Sequence, residues 1–178
     1  MGYKHGMTIS SITLAIADAA DYPLFKKELQ EAFAIAVIAE NGALPDGPIP
    51  SDQELDAAIA APDAVVLRVL SENKPVGGAI VTISDTHHNE LDLFFIKSCE
   101  IGRGLGYQAW IAIEQRYPQT LTWETHTPYF EKRNIHFYVN KCGFKIVEFF
   151  NTHHPDKHRP SPDEVPGLDE GFRFEKVM

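Results

Sequence analysis

The chain has 178 residues, a length typical of one domain with a substantial hydrophobic core. Its 44% apolar and 23% charged residues are ordinary for a soluble globular protein, and its formal net charge of −9 argues against nucleic acid or an anionic membrane as the main partner. Two cysteines, Cys99 and Cys142, are too few for a disulfide scaffold and lack the spacing of a zinc motif. A single cytoplasmic domain over residues 1–178, with no membrane segment, is expected.

The first half of the chain predicts one strand, two helices and a hairpin. Apolar residues that recur every four positions, from Phe25 to Val37, predict an amphipathic helix. The sequence Ser51-Asp52-Gln53-Glu54 has the pattern of a capping box and predicts the start of a short helix. The predicted elements are a strand over 12–16, helices over 22–40 and 51–60, and hairpin strands over 64–70 and 76–84.

In the second half, predicted strands alternate with helices. A run that is apolar on both faces, Leu91 to Ile96, predicts a central strand. The predicted elements are strands over 91–96 and 120–127, helices over 107–117 and 133–141, and final strands over 144–150 and 172–177. Because this alternation is confined to the second half, the fold class is α/β with a mixed (α+β) sheet flanked by about four helices, rather than a doubly wound parallel sheet.

A glycine-dense turn joins the strand over 91–96 to the next helix. Its sequence is Cys99-Glu100-Ile101-Gly102-Arg103-Gly104-Leu105-Gly106. Such a turn gathers backbone N–H groups and the positive end of a helix around one volume, which suits phosphate or pyrophosphate. Tyr107 follows Gly106, so both the Walker pattern and the dinucleotide fingerprint fail. The remaining template is the acyl-CoA loop Arg/Gln-x-x-Gly-x-Gly/Ala.

A second segment, Asn134-Ile135-His136-Phe137-Tyr138-Val139-Asn140-Lys141-Cys142-Gly143-Phe144, follows one strand later. It is similar to the Asn-x-x-x-Tyr-x-Lys-x-Gly-Phe segment of the GNAT superfamily of N-acetyltransferases. With the glycine turn and the order of the elements, the chain resembles that superfamily from about Met7 to Met178. The resemblance implies the GNAT fold, acetyl-CoA as co-substrate, and transfer of an acetyl group to a primary amine of a small molecule or peptide.

The resemblance also implies roles for individual residues. The strand over 91–96 should separate from its neighbour and pair with the pantetheine arm of the co-substrate. Tyr138 should be the general acid that protonates the departing thiolate. Ile101 stands where the family usually has Arg or Gln, and Arg103 is the candidate replacement for that charge. The residues expected to contact acetyl-CoA are Phe95, Ile96, Ile101, Gly102, Arg103, Gly104, Leu105, Gly106, Asn134, Tyr138 and Lys141.

Four side chains near the two central strands are candidates for the general base: Glu90, Asp92, Glu124 and His126. An imidazole accepts protons near neutral pH without help from its surroundings, which favours His126, with Glu90 beside it. The acceptor site is expected from residues 22–60 and the acidic loop over 151–169, whose carboxylates favour a cationic amine. The loop histidines match no zinc spacing, so no metal is expected.

Two other functions stay open at this point. Ile101 and the undecided base favour a non-catalytic acyl-CoA-binding sensor or interaction module. A nucleotide-binding α/β protein would use the same glycine turn but fails both nucleotide templates. The pattern is also compatible with a homodimer formed through the last strands.

Overall fold

Seven strands and four α-helices occupy residues 11–44, 47–158 and 169–178, which are the residues that the computed structural model describes. In chain order they are β1 Ile12–Ile16, α1 Tyr22–Asn41, α2 Asp52–Ala60, β2 Ala64–Ser71, β3 Lys74–Thr82, β4 His88–Ile96, α3 Leu105–Arg116, β5 Thr122–Pro128, α4 Lys132–His136, β6 Lys145–Phe150 and β7 Gly171–Val177. A 3₁₀ turn, Ser98–Glu100, follows β4, and a π-helical turn, Phe137–Lys141, continues α4. Each element predicted from the sequence is present within a few residues of its predicted ends.

The strands form one mixed sheet in the order β1-β2-β3-β4-β5-β7-β6. The pair β4 and β5 is parallel, and the other neighbours are antiparallel. The parallel connection runs through α3, as a crossover between parallel strands requires. The predicted fold class, a mixed sheet flanked by about four helices, is confirmed.

The start of α2 is fixed by local hydrogen bonds, as predicted. The Glu54 amide donates to Ser51 Oγ at 3.2 Å, and the Ser51 amide donates to Glu54 Oε2 at 2.7 Å. This reciprocal pair satisfies two backbone donors that the first helical turn leaves open. The capping box therefore sets where α2 begins independently of tertiary contacts.

Helices cover the sheet on both faces and bury alternate strand residues on opposite sides. On one face, Val66, Ile80 and Phe95 pack against α1 and α2. On the other, Trp110 of α3 packs against Trp123 of β5, with ring centroids 5.4 Å apart. The two faces therefore carry separate apolar clusters, and a cavity beside β4 can reach both.

β4 and β5 pair over only part of their length. The ladder joins His88–Leu91 to Thr122–Thr125 and ends there, although β4 continues to Ile96. A bulge in the ladder between β3 and β4, next to Ile80 and Val81, accompanies the divergence. The backbone of β4 beyond Leu91 therefore faces a gap on the β5 side, as the family resemblance implied. Within the described ranges, no helix is both long and apolar enough to cross a membrane.

Candidate active site

A groove of about 1060 Å³ lies beside the open end of β4. Its walls come from α1, the end of β4, the glycine turn with the start of α3, and the segment from the end of β5 to the π-helical turn. Residues expected to contact acetyl-CoA that line this groove are Phe95, Ile96, Ile101, Gly102, Gly104, Leu105, Gly106, Asn134 and Lys141. The fold thus gathers two segments, about thirty positions apart, around one elongated space.

The glycine turn is shaped by two residues in the left-handed region. Gly102 has φ of +91° and Gly104 has φ of +72°, a conformation that side chains with a Cβ rarely adopt. The turn leads directly into α3, whose first residue, Leu105, is buried in the core. The N-terminal turn of α3 therefore points its free N–H groups toward the groove from a rigid anchor.

Positive charge at the groove comes from Lys141, which was expected there, and from two residues that were not, Lys132 and Arg133. Arg103, the expected replacement for the charge missing at Ile101, forms an ion pair with Glu100 and is half exposed to solvent. Lys132 and Arg133 line the groove together with Lys141. Their signal in the sequence is the basic pair that directly precedes Asn134.

Tyr138 lies in the core behind the groove rather than on its surface. Its ring packs against Phe144 and Phe174, and the residue is 5% exposed. Its hydroxyl hydrogen-bonds Thr125, whose own hydroxyl donates to the Leu91 carbonyl at 2.9 Å. The phenol is thereby linked to the residue at which β4 and β5 separate.

The ionisation of Tyr138 follows from its burial. Loss of hydration raises the pKa of Tyr138 above its ordinary value, and the contact with Thr125, which lowers it, only partly opposes this effect. The phenol therefore keeps its proton throughout the neutral range.

The π-helical turn accommodates one extra residue. The family segment has one residue between its tyrosine and lysine, whereas this chain has two, Val139 and Asn140. The Cys142 amide donates to the Phe137 carbonyl, the wider spacing of a π-helix. This widening lets Phe137 and Lys141 line the groove while Tyr138 stays directed at the core.

A second cavity, of about 540 Å³, opens on the sheet face that also carries α1 and α2. It is lined by five carboxylates and two permanent cations, together with three histidines. The lining side chains are Glu90, Asp92, Glu124, His126, Glu148, Phe150, His154, Pro155, Asp156, Lys157, His158 and Arg173. We call it the acidic cavity.

His126 lies at the centre of the acidic cavity's carboxylates. Its Nδ1 is 3.7 Å from Glu90 Oε1, and its Nε2 is 3.8 Å from Glu124 Oε1 and 3.9 Å from Asp156 Oδ2. The candidate bases that the sequence analysis selected are thus neighbours in space. Ligand atoms of Glu90, Glu124 and His126 lie within 4.8 Å of one another, so the same set could also hold a divalent cation.

Ion pairs order the outer wall of the acidic cavity. Arg173 Nε donates to Glu148 at 3.0 Å, and its Nη1 donates to Glu124 at 3.1 Å. Hydrogen bonds from His154 and Arg173 lower the pKa of Glu148. His154 also stacks on Phe150, with ring centroids 5.9 Å apart. These contacts attach the loop after β6 to the sheet.

The segments predicted to build the acceptor site lie at two different cavities. The part of the loop at His154–His158 lines the acidic cavity, whereas α1 lines the groove. The acidic residues Asp46, Asp163 and Glu164, also part of that prediction, lie outside the described residues.

Comparison with known proteins agrees with this geometry. Residues 27–144 match the model of the acetyltransferase (GNAT) family. The chain is 54% identical over 173 residues to the uncharacterized protein YrkN of Bacillus subtilis (strain 168), an alignment that covers 94% of each chain.

Two solved structures are similar in fold. One is a GNAT family acetyltransferase from Elizabethkingia anophelis with acetyl-CoA bound, with a TM-score of 0.67 and 16% identity over 95% of this chain and 99% of that one. The other is the ribosomal-protein-S18-alanine N-acetyltransferase from Escherichia coli, with a TM-score of 0.67 and 12% identity over 93% of each chain. The match to the family model, which spans more than half of the chain, shows that this chain belongs to the acetyltransferase (GNAT) family.

Proposed function

We propose that this protein transfers an acetyl group from acetyl-CoA to a primary amine of a small molecule or peptide, by direct attack of the amine on the thioester. The observation that carries the proposal is the meeting of two cavities on one strand. Asp92 lines the acidic cavity and Phe94, two residues along β4, lines the groove. A thioester in the groove and an amine in the acidic cavity would therefore approach each other at the end of the β4–β5 ladder.

The groove suits acetyl-CoA in three respects. The N-terminus of α3 supplies N–H groups for the pyrophosphate. The unpaired edge of β4 beyond Leu91 supplies backbone groups for the amides of the pantetheine arm, as an added strand would. Lys132, Arg133 and Lys141 supply positive charge. The Elizabethkingia acetyltransferase, which has this fold, holds acetyl-CoA.

The acidic cavity suits a cationic amine, because its carboxylates outnumber its permanent cations. An ammonium group must lose a proton before its nitrogen can attack. We assign that proton to His126, with Glu90 and Glu124 near its two ring nitrogens to stabilise the imidazolium that forms.

Proton transfer at the leaving group is assigned to Tyr138. As the new C–N bond forms and the C–S bond breaks, Tyr138 gives a proton to the thiolate, and the second proton that the nitrogen loses on becoming an amide restores the phenol. Tyr138 is protonated at neutral pH, and its hydroxyl lies one threonine away from the backbone of Leu91. These two properties support it as the donor.

Replacing His126 by Asn is expected to lower kcat/KM by about 10- to 100-fold, because the base is lost while neighbouring carboxylates remain. The alkaline rise of the pH–rate profile should move to higher pH, since the amine must then reach the site already neutral. Steady-state rates across pH measure both. His136→Asn, on the outer side of α4, is the matched control, and equal losses in both variants would remove His126 from the mechanism.

The function itself is tested in two steps. Acetyl-CoA and CoA, but not ATP or NAD, should raise the melting temperature, because a ligand that binds only the folded state stabilises it. Release of free thiol from acetyl-CoA in the presence of a panel of mono-, di- and polyamines should then reveal turnover. Stabilisation by CoA with no thiol release from any amine would favour the sensor, and stabilisation by ATP or NAD alone would exclude the acetyltransferase.

A further inference from the structure

Glu131 is a buried carboxyl in the wall of the groove. It directly precedes α4, lines the groove, and is 7% exposed. Within residues 11–44, 47–158 and 169–178, its carboxyl group forms no hydrogen bond or ion pair. Its amide and carbonyl, by contrast, are both bonded, to the Pro128 carbonyl and the Ile135 amide. The backbone thus fixes Glu131 as a buried lining residue of the groove.

The surroundings of Glu131 make its ionised form costly. Phe130 and Phe137 also line the groove and offer no polar atoms on their side chains. A carboxylate that is removed from water without a partner loses its hydration, and this loss is unfavourable. Burial raises the pKa of Glu131 to about 7, and the positive potential of Arg133 only partly opposes it. Near neutral pH the side chain is therefore divided between its neutral and ionised forms.

Other charged and titratable groups face the groove from each element around it. They are Glu40 from α1, Glu100 from the 3₁₀ turn, Tyr107 from α3, and Lys132, Arg133 and Lys141 on the side of Glu131 itself. Tyr138 lies behind the wall and stays protonated. Glu100 is paired with Arg103. Glu131 is the buried acid of this set.

We propose that Glu131 binds acyl-CoA as a neutral carboxylic acid, its O–H donating to a carbonyl of the pantetheine arm, so that binding takes up a proton. This inference rests on the proposed function, because it requires acyl-CoA in this groove. Two effects drive it. The arm removes the remaining water from the carboxyl group, and the phosphates add negative charge to the same groove, and both favour the neutral acid. The arm supplies amide carbonyls as acceptors.

Proton uptake is measured by calorimetric titration of the protein with CoA, in two buffers of different ionisation enthalpy. At about pH 8, where Glu131 is mostly ionised in the free protein, uptake should approach one proton per CoA more than in Glu131→Gln. Wild-type affinity should fall by up to roughly tenfold per pH unit above pH 7, and the Gln variant should lose less. Glu31→Gln, on the exposed face of α1, is the matched control and should behave as wild type.

Each result decides between distinct failures. If neither the wild-type protein nor any variant binds CoA, the proposed function is overturned. CoA binding by wild type and Glu131→Gln with equal proton numbers would overturn the role of Glu131 alone. If Glu131→Gln does not bind CoA, the test is the pH dependence of CoA binding by the wild-type protein. A wild-type CoA affinity that does not weaken between about pH 7 and pH 9 would contradict the inference.

The burial of Glu131 has a separate effect on stability, which needs no ligand. The pKa of Glu131 is raised on folding, so the unfolded chain loses this proton first and wild-type stability falls as pH rises from about 4.5 to 7. Glu131→Gln lacks this loss. Its melting temperature relative to wild type should therefore rise between about pH 5 and pH 8 and level off above that. A constant difference over this range, measured by thermal unfolding, would show that Glu131 is not desolvated.

Discussion

Gly106→Asp is expected to weaken CoA binding severely without unfolding the protein. Gly106 lies in the first turn of α3, outside the left-handed region, and a Cβ there would meet Phe137 at an ordinary 3.5 Å. An acidic side chain in the first turn of a helix is favourable for the helix itself. The same carboxylate would stand where the pyrophosphate is proposed to bind. Two like charges about 4 Å apart near a protein surface repel by about 4 kcal/mol, so affinity should fall on the order of 100- to 1,000-fold.

Gly106→Ala is the control for this variant, since it adds the Cβ without the charge. The acyl-CoA loop template accepts Ala at this position, and the structure leaves room for it. Calorimetry gives the affinity of both variants, and thermal unfolding gives their stability. Retained CoA affinity in a folded Gly106→Asp protein would mean that the pyrophosphate does not lie at this helix end.

Tyr138→Phe is expected to lower kcat by about 10- to 1,000-fold, with little change in the affinity for CoA. The ring would keep its packing against Phe144 and Phe174, so only the hydroxyl and its bond to Thr125 are lost. Loss of one buried hydrogen bond costs about 1 kcal/mol of stability, too little to unfold the domain.

The assay that tests Tyr138 compares two acyl donors. A thioester with a more acidic leaving thiol needs less protonation, so the rate lost in Tyr138→Phe should be partly recovered with such a donor. Tyr117→Phe, which removes a hydroxyl beside Trp123, is the matched control. If Tyr138→Phe keeps the wild-type kcat, Tyr138 has a packing role in the core and no role in catalysis.

Local sequence signals were sufficient for most of the fold. The capping box at Ser51 and the glycine turn act within a few residues, so their pattern determines their geometry. The run at 91–96, which is apolar on both faces, indicated a central strand, and β4 is central. The separation of β4 from β5 came from the family resemblance, because no property of either strand alone indicates where a ladder ends.

Side-chain direction was harder to predict. Tyr138 and Arg103 were both expected at the cofactor site, yet one points into the core and the other toward Glu100. Tyr138 lies within the π-helical turn, where Phe137 and Lys141 line the groove while Tyr138 packs in the core. Arg103 lies between two glycines in the left-handed region, Gly102 and Gly104. The direction of its side chain depends on their backbone conformation, which the sequence around Arg103 does not specify.

The acidic cavity could not be assembled from the sequence because its residues are far apart in the chain. Arg173 of β7 joins Glu148 of β6 to Glu124 of β5, and that contact depends on β7 inserting between the other two strands. The candidate bases were identified by type. Glu124 and His126 are close because they are two residues apart on β5, whereas the approach of Glu90 to His126 depends on the register of parallel β4 and β5.

The two thiols of this chain differ enough in reactivity for one of them to be labelled selectively. Cys99 is exposed in the 3₁₀ turn, one residue from Glu100 at the groove, whereas Cys142 is buried and its pKa is raised to about 12, chiefly by burial. Thiolates, not thiols, react with maleimides and iodoacetamides. A fluorophore or spin label will therefore attach to Cys99 alone in the native protein. No cysteine need be engineered to place a reporter at the mouth of the groove.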